Sequence, residues 1–231
     1  MSLLFDVPQP MVIAVNGEDA DFPVGRIFCV GRNYVAHAKE MGSEVDREAP
    51  WYFCKTPTAA IPSGSTVPYP PGTENYHHEM EFGIAIGADA FRVSVDQAAD
   101  AIYGYFSALD MTRRDRQSDA KETRRPWDVS KDFENSAVVT AITKVGDFGA
   151  VGPQRMHLAV NGEVRQDTRL DDMVWNSEEI ISHLSHFYHL RPGDIILTGT
   201  PAGVGAVVAG DVITGCVEGL DPIELTIAAA E

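Results

Sequence analysis

The run Tyr76–Gly87 constrains the fold more than any other part of the sequence. Met80, Phe82, Ile84 and Ile86 fall on one parity, and Glu79, Glu81, Gly83 and Ala85 on the other. Successive side chains of a strand point to opposite faces, so the pattern predicts a single strand with one apolar face. The other face then carries two carboxylates side by side. Such a pair is either an ordinary solvated strand surface or a place where a cation relieves the repulsion; without a cation, one carboxyl would take up a proton. Hard divalent cations suit carboxylate oxygens and keep positions open for water or substrate. A third acid adds weight to the cation reading. The apolar run Tyr105–Leu109 ends in Asp110 and is followed by Arg113, Arg114, Asp115, Arg116 and Gln117. Asp110 is suitably placed to complete a cation site, although spacing alone does not bring it to the glutamates.

The partners are bounded by charge. A net charge of −16 argues against nucleic acid and anionic membranes as main partners. A metal and a few cations can still invert the field in one pocket, so an anionic substrate remains open. Cys29, Cys54 and Cys216 are far apart and form no CxxC, which argues against a disulfide framework and a thiolate zinc site. Met1–Met11 has neither a basic nor an apolar stretch of signal type, and no run approaches a membrane span, so a cytoplasmic location is expected.

Along the chain, Asn16-Gly17 and Asn161-Gly162 read as hairpin turns. Residues 1–22 are expected to form an N-terminal arm with its own hairpin, and residues 23–231 a single domain. Asn33 is expected to cap a short helix over Tyr34–Met41 that Gly42 stops. His37 and Glu40 share a face of it, either as a surface pair or as a general base made more basic by a carboxylate. Lys55 follows an aromatic run and reads either as a solubilising strand-end residue, the favoured reading, or as a pocket cation. Ser94 and Gln97 fit a capping box, opening a helix to about Ile102. Residues 115–130 are strongly polar and read as loop. Lys131 sits among aromatics, so either its stem is packed with the ammonium in water or it aims the ammonium at an anion.

The clearest helix is Ser177–Leu190, with Ser177 as cap. His183, His186 and His189 lie on it at spacing three, which puts the outer two about 120° apart and favours a polar face over a zinc site. Gly199–Gly205 holds three glycines beyond a buried strand at Ile195–Thr198, yet matches neither a P-loop nor GxGxxG. Many short strands, few helices and no βαβ alternation predict an α+β fold of mixed or antiparallel sheet.

Five motifs occur in a fixed order: Gly31-Arg32-Asn33-Tyr34-x-x-His37, His78-Glu79-x-Glu81, Leu109-Asp110-x-x-x-Arg114-Asp115-x-Gln117, Lys131, and Arg191-Pro192-Gly193-Asp194 running into Thr198-Gly199-Thr200-Pro201-x-Gly203-Val204-Gly205. Together they resemble the fumarylacetoacetate hydrolase family over residues 24–231. Trp51-Tyr52-Phe53-x-Lys55 and Val67-Pro68-Tyr69-Pro70 resemble its short bacterial acylpyruvate and fumarylpyruvate hydrolases. The resemblance implies a mixed β-sheet roll with a few short helices, a homodimer, and Mg²⁺ or Mn²⁺ held by Glu79, Glu81 and Asp110. It implies that His37 and Glu40 activate water on a lid-like helix, that Gln117 and Lys131 serve catalysis at the oxyanion, and that Arg114, Gly199 and Thr200 contact substrate. The implied reaction is hydrolysis of a carbon–carbon bond in a 2,4-dioxo acid, fumarylpyruvate foremost, in the breakdown of aromatic compounds. Oxaloacetate-type decarboxylation or keto–enol isomerisation on the same metal site is the alternative.

Overall fold

The computed structural model describes residues 4–5, 11–42 and 47–231, so most of residues 1–10 of the expected arm lies outside the described residues. A large mixed sheet runs, by neighbouring strands, Trp51–Lys55, Arg26–Gly31, Asp194–Leu197, Met80–Ile86, Ile102–Asp110, Ala137–Val139 and Ala60–Pro62, with Thr143–Lys144 also on Ile102–Asp110. A second sheet runs Glu163–Arg169, Arg155–Val160, Val212–Val217, Ile223–Ala228 and Ser65–Pro68. A small third sheet joins Thr112–Arg113, Tyr76–His78 and Gly205–Val207. Parallel pairs join Asp194–Leu197 to Arg26–Gly31, Ala137–Val139 to Ala60–Pro62, and Ile223–Ala228 to Ser65–Pro68; the other pairs are antiparallel. The mixed α+β sheet fold is therefore as the strand pattern predicts.

Both faces of the large sheet are covered. Phe82, Ile84, Leu109 and Ile196 pack against Met156, Leu158, Ile213 and Leu225 of the second sheet. Ile27, Cys29, Ala85, Phe106 and Leu197 on the opposite face pack with Ile13, Val15 and Phe22 of the N-terminal hairpin. Burial of this much apolar area, at roughly 25 cal/mol per Å², dominates the stability of such a layered core.

The single strand expected over Tyr76–Gly87 is two strands. It breaks at Glu79, with Tyr76–His78 in the small sheet and Met80–Ile86, buried along its whole length, in the large one. The alternation is otherwise as read, since Met80, Phe82, Ile84 and Ile86 share one core.

Three local expectations are corrected. Residues 115–130 are not loop: Arg114–Thr123 and Asp128–Lys131 are helices. The longer one buries Arg114, Gln117 and Ala120 at helical spacing, so its inward stripe is polar and gives no apolar period. Asn33 does not cap the helix Val35–Glu40. Its amide instead donates to the carbonyls of Trp175 and Thr198 and its Oδ1 accepts from the Trp175 N–H, a buried tie between segments distant in sequence. The later helix is Ser177–Ser185, capped by Asn176 in a capping box with Glu179 rather than by Ser177. The turn at Asn161-Gly162 joins Val160 directly to Glu163, whereas Asn16-Gly17 lies in a longer connection between Val12–Ile13 and Phe22–Pro23.

Candidate active site and metal centre

Strand register assembles the acids. Met80 pairs with Leu109 and Glu81 with Ala108, and the Asp110 N–H donates to the Glu79 carbonyl at 2.9 Å. Residues directly opposite across an antiparallel pair share a face. Glu79, Glu81 and Asp110 therefore converge, and one oxygen from each lies within 4.8 Å of the others, all three side chains buried. Among the described residues this is the single group of three or more acidic, histidine or cysteine side chains gathered this closely.

Three cations stand around the acids. Lys131 Nζ donates to Glu79 Oε2 at 2.7 Å, Asp110 Oδ2 at 2.5 Å and Thr112 Oγ1 at 2.7 Å. Arg114 pairs with the second oxygen of Glu79 and donates to Gln117 Oε1 at 2.5 Å. Lys55 is the cation of its two readings and not the solubilising strand end: it is buried, 2.9 Å from Asp110 Oδ1, and donates to Ser136 Oγ at 2.9 Å. A lysine at the end of an aromatic strand looks like a surface residue until the sheet neighbours are known.

The charges do not balance evenly over the acids. Burial would raise the Glu79 carboxyl, but Lys131 and Arg114 outweigh it and hold it well below the usual range. Burial alone would lower Lys131; Asp110 and Glu79 reverse that and raise it. Glu81 has no cation within ion-pair distance among the described residues and accepts one N–H, from Gly199 at 2.7 Å. Burial, then Asp110 and Glu79, push its carboxyl well above the usual range. Asp110 Oδ1, although near Lys55, has no hydrogen bond of acceptable geometry. A buried carboxylate without a cation and an orphaned carboxylate oxygen beside it are what a hard divalent ion would satisfy, so the donor set fits one.

His37 lies on the helix Val35–Glu40, with Nδ1 3.1 Å from Glu40 Oε2. Glu40 is itself held, since the Gly203 N–H donates to its two oxygens at 3.0 and 3.2 Å. Burial lowers the His37 pKa against the opposing pull of Glu79 and Glu40, so the imidazole is neutral at pH 7. With Nδ1–H directed at Glu40, Nε2 carries the lone pair.

The glycine loop works through backbone donors. Gly199 and Gly203 have φ of +99° and +95°, and a Cβ at Gly203 would stand 1.9 Å from the Arg165 carbonyl oxygen. Only glycine permits that approach, which aims the two N–H groups at Glu81 and Glu40. Thr200 is buried beside them, and its Oγ1 accepts from Gln166 Nε2 at 2.8 Å, leaving its hydroxyl proton free to donate.

Gln166 escaped the sequence reading. It is buried in an otherwise largely exposed strand, and its Oε1 accepts from the Met80 N–H at 2.9 Å while its amide also donates to the Pro201 carbonyl at 2.9 Å. It thereby ties the second sheet to the start of the acid strand and to the glycine loop. A glutamine in a hairpin strand carries no local signal of that role. The three histidines stay apart: His183 stacks on Tyr52, His186 bonds the Ser182 carbonyl and His189 stacks on Phe91.

His37, Glu79, Glu81, Asp110, Arg114, Gln117, Lys131 and Thr200 all line one cavity, and Glu40 backs His37. Sequence and structure comparisons bear on this arrangement. Residues 26–228 match the family described as Fumarylacetoacetate (FAA) hydrolase C-terminal. A fumarylpyruvate hydrolase of a Ralstonia species is 52% identical over 197 residues, covering 83% of this chain and all of that protein. An oxaloacetate tautomerase of Escherichia coli K12 is 38% identical over 206 residues, covering 88% of this chain and 93% of that protein. The crystal structure of a Pseudomonas aeruginosa fumarylpyruvate hydrolase with Mn²⁺ and pyruvate superposes with a TM-score of 0.94 at 41% identity, covering 99% of this chain and 100% of that one.

Proposed function

The chain belongs to the fumarylacetoacetate hydrolase family, and from that premise we propose that it is a metal-dependent hydrolase that cleaves fumarylpyruvate to fumarate and pyruvate. The observation that carries the reading is the single cavity that joins three buried acids to a neutral, carboxylate-oriented histidine. Residues 23–231 form the catalytic unit and 1–22 its arm.

Glu79, Glu81 and Asp110 hold the divalent ion, Mg²⁺ or Mn²⁺, which when bound supplies a Lewis acid for the 2-oxo acid end of the substrate. Glu40, fixed by Gly203, orients His37, and Nε2 of His37 takes a proton from water. The hydroxide adds to the C4 acyl carbonyl. Gln117 donates an amide N–H to the oxyanion that forms, and the ammonium of Lys131, whose three N–H groups are on Glu79, Asp110 and Thr112, stabilises it through its charge. The C3–C4 bond then breaks, the acyl part leaves as a carboxylic acid, and C3 takes a proton to give pyruvate. Thr200 donates its hydroxyl to the substrate carboxylate beside the Gly199 turn, and Arg114 holds Gln117 and Glu79 in register.

A second reading is keto–enol tautomerisation of oxaloacetate, supported by the Escherichia coli relative. Both readings carry a homodimer, a cytoplasmic location and, for the first, a place in aromatic compound breakdown. The test follows loss of dioxo-acid enolate absorbance with fumarylpyruvate, acetylpyruvate and oxaloacetate, with Mn²⁺, with Mg²⁺ and with chelator. Metal-dependent cleavage fastest on fumarylpyruvate is the expected result. Turnover of oxaloacetate alone would replace the hydrolytic reading with the second one, and turnover of none would overturn both.

A further inference from the structure

The inner cations of the cavity are engaged with its acids: Lys131 and Arg114 with Glu79, Lys131 and Lys55 with Asp110. Two further cations line the same cavity, Arg32 and Lys121, and both are half-buried. Neither forms an ion pair with a carboxylate among the described residues, in a chain whose acids outnumber its lysines and arginines 34 to 18. Each lies over an indole instead. Arg32 Cζ is 4.2 Å from the Trp51 ring centre, and Lys121 Nζ is 5.5 Å from that of Trp127. The two indoles stack on each other, 6.4 Å apart with 18° between their planes. Cation–π contact holds a cation in place while leaving its N–H donors free.

The arrangement is held against opposing forces. Arg32 has a φ of +60°, a left-handed backbone uncommon outside glycine. Burial, then repulsion by Arg114 and Arg32, brings the Lys121 pKa down to about 8. Two like charges in one cavity, each with unused donors, present a binding site for an anion.

The geometry points to a subsite in which Arg32 and Lys121, each backed by an indole, bind the second carboxylate of a dicarboxylic acyl group, so that the enzyme selects a fumaryl tail over an acetyl tail. This rests on the hydrolytic reading of the inner site. On that reading the 2-oxo acid end belongs to Thr200 and to the divalent ion that the three acids would hold, so the acyl end is left facing the two remaining cations. Phe53 and Trp127 also line the cavity and suit a planar unsaturated tail. Arg114 is committed elsewhere, since each of its three nitrogens already donates, to His77, Gln117 and Glu79.

The test uses the Mn²⁺-loaded protein and two readouts. The first is the ratio of kcat/KM for fumarylpyruvate to that for acetylpyruvate in the wild type, Lys121→Met, Lys121→Arg, Arg32→Asn and the Lys121→Met/Arg32→Asn double variant. Asparagine tolerates the left-handed backbone, so Arg32→Asn isolates loss of the side chain. Lys121→Met and Arg32→Asn should each lower the ratio about tenfold, the scale of one hydrogen bond to a charged group, and Lys121→Arg should preserve it. The second is calorimetric binding of fumarate and of crotonate, which has the same carbon skeleton without the second carboxylate. Fumarate should bind at least about tenfold tighter than crotonate, and the double variant should abolish that difference. An unchanged ratio in the double variant, or equal binding of the two acids by the wild type, would overturn the subsite. If the wild type cleaves neither substrate, the hydrolytic reading fails, and fumarate discrimination by itself then decides the subsite.

Discussion

Glu81→Gln separates the metal site from the rest of the fold because its two expected effects have opposite signs. Glutamine is isosteric, and its Oε1 can still accept the Gly199 N–H now received at 2.7 Å. What is lost is a buried carboxyl whose ionisation no cation supports among the described residues, while Glu79 and Asp110 keep their lysine and arginine partners. A neutral amide replaces a carboxyl that burial and the neighbouring acids already disfavour as an anion, so the metal-free variant should melt no lower than the metal-free wild type. With metal the order reverses. At a metal concentration a hundred times Kd, binding stabilises the native state by about 2.7 kcal/mol. For a chain of this length that corresponds to a rise in Tm of about 5–10 °C. Loss of one of three charged ligands that weakens binding about a hundredfold leaves about 0.4 kcal/mol at the same concentration, a rise of roughly 1–2 °C. Differential scanning calorimetry with and without Mn²⁺ reads both effects. A metal-free variant that melts well below the metal-free wild type would refute the view that Glu81 is uncompensated. A full Mn²⁺ shift in the variant would refute its assignment as a ligand.

The other predictions address the base and the scaffold. His37→Asn should lower kcat for hydrolysis by about 10²–10⁴-fold while the Mn²⁺-induced Tm shift persists; equal loss of both would contradict its role as base, and retained oxaloacetate tautomerisation would favour the second reading. Because His37 must be neutral to accept a proton and burial lowers its pKa, activity should be present at neutral pH and fall only as pH drops through a value below the ordinary 6.5, read as the acid limb of kcat/KM. Gln166→Leu removes the acceptor of the Met80 N–H and the donor to Thr200, and should cost about 2–4 kcal/mol of stability and raise KM; a variant with wild-type Tm and KM would deny Gln166 its tie between the sheets.

The alternation in Met80–Ile86 was enough to determine a strand, the side its apolar residues take, and the common face of Glu79 and Glu81, because a strand's period of two is a local property. The helical spacing of His37 and Glu40 was legible for the same reason, and the glycines of Gly199–Gly205 announced a close backbone approach. The order of the motifs carried the family, and with it the acid set. Tertiary structure decided what depends on partners. Asp110 joins the glutamates through the register of Ile102–Asp110 on Met80–Ile86, which no spacing along one segment encodes. The helix Arg114–Thr123 was invisible because its buried stripe is Arg114 and Gln117, polar side chains turned inward to serve the site, so the apolar period that marks a helix is missing. Lys55 and Gln166 looked like surface residues because their strands supply no sign of what covers them, and a buried polar group is defined by the partners that satisfy it. Periodicity is written along the chain, whereas the neutralisation of buried charge is written only across it.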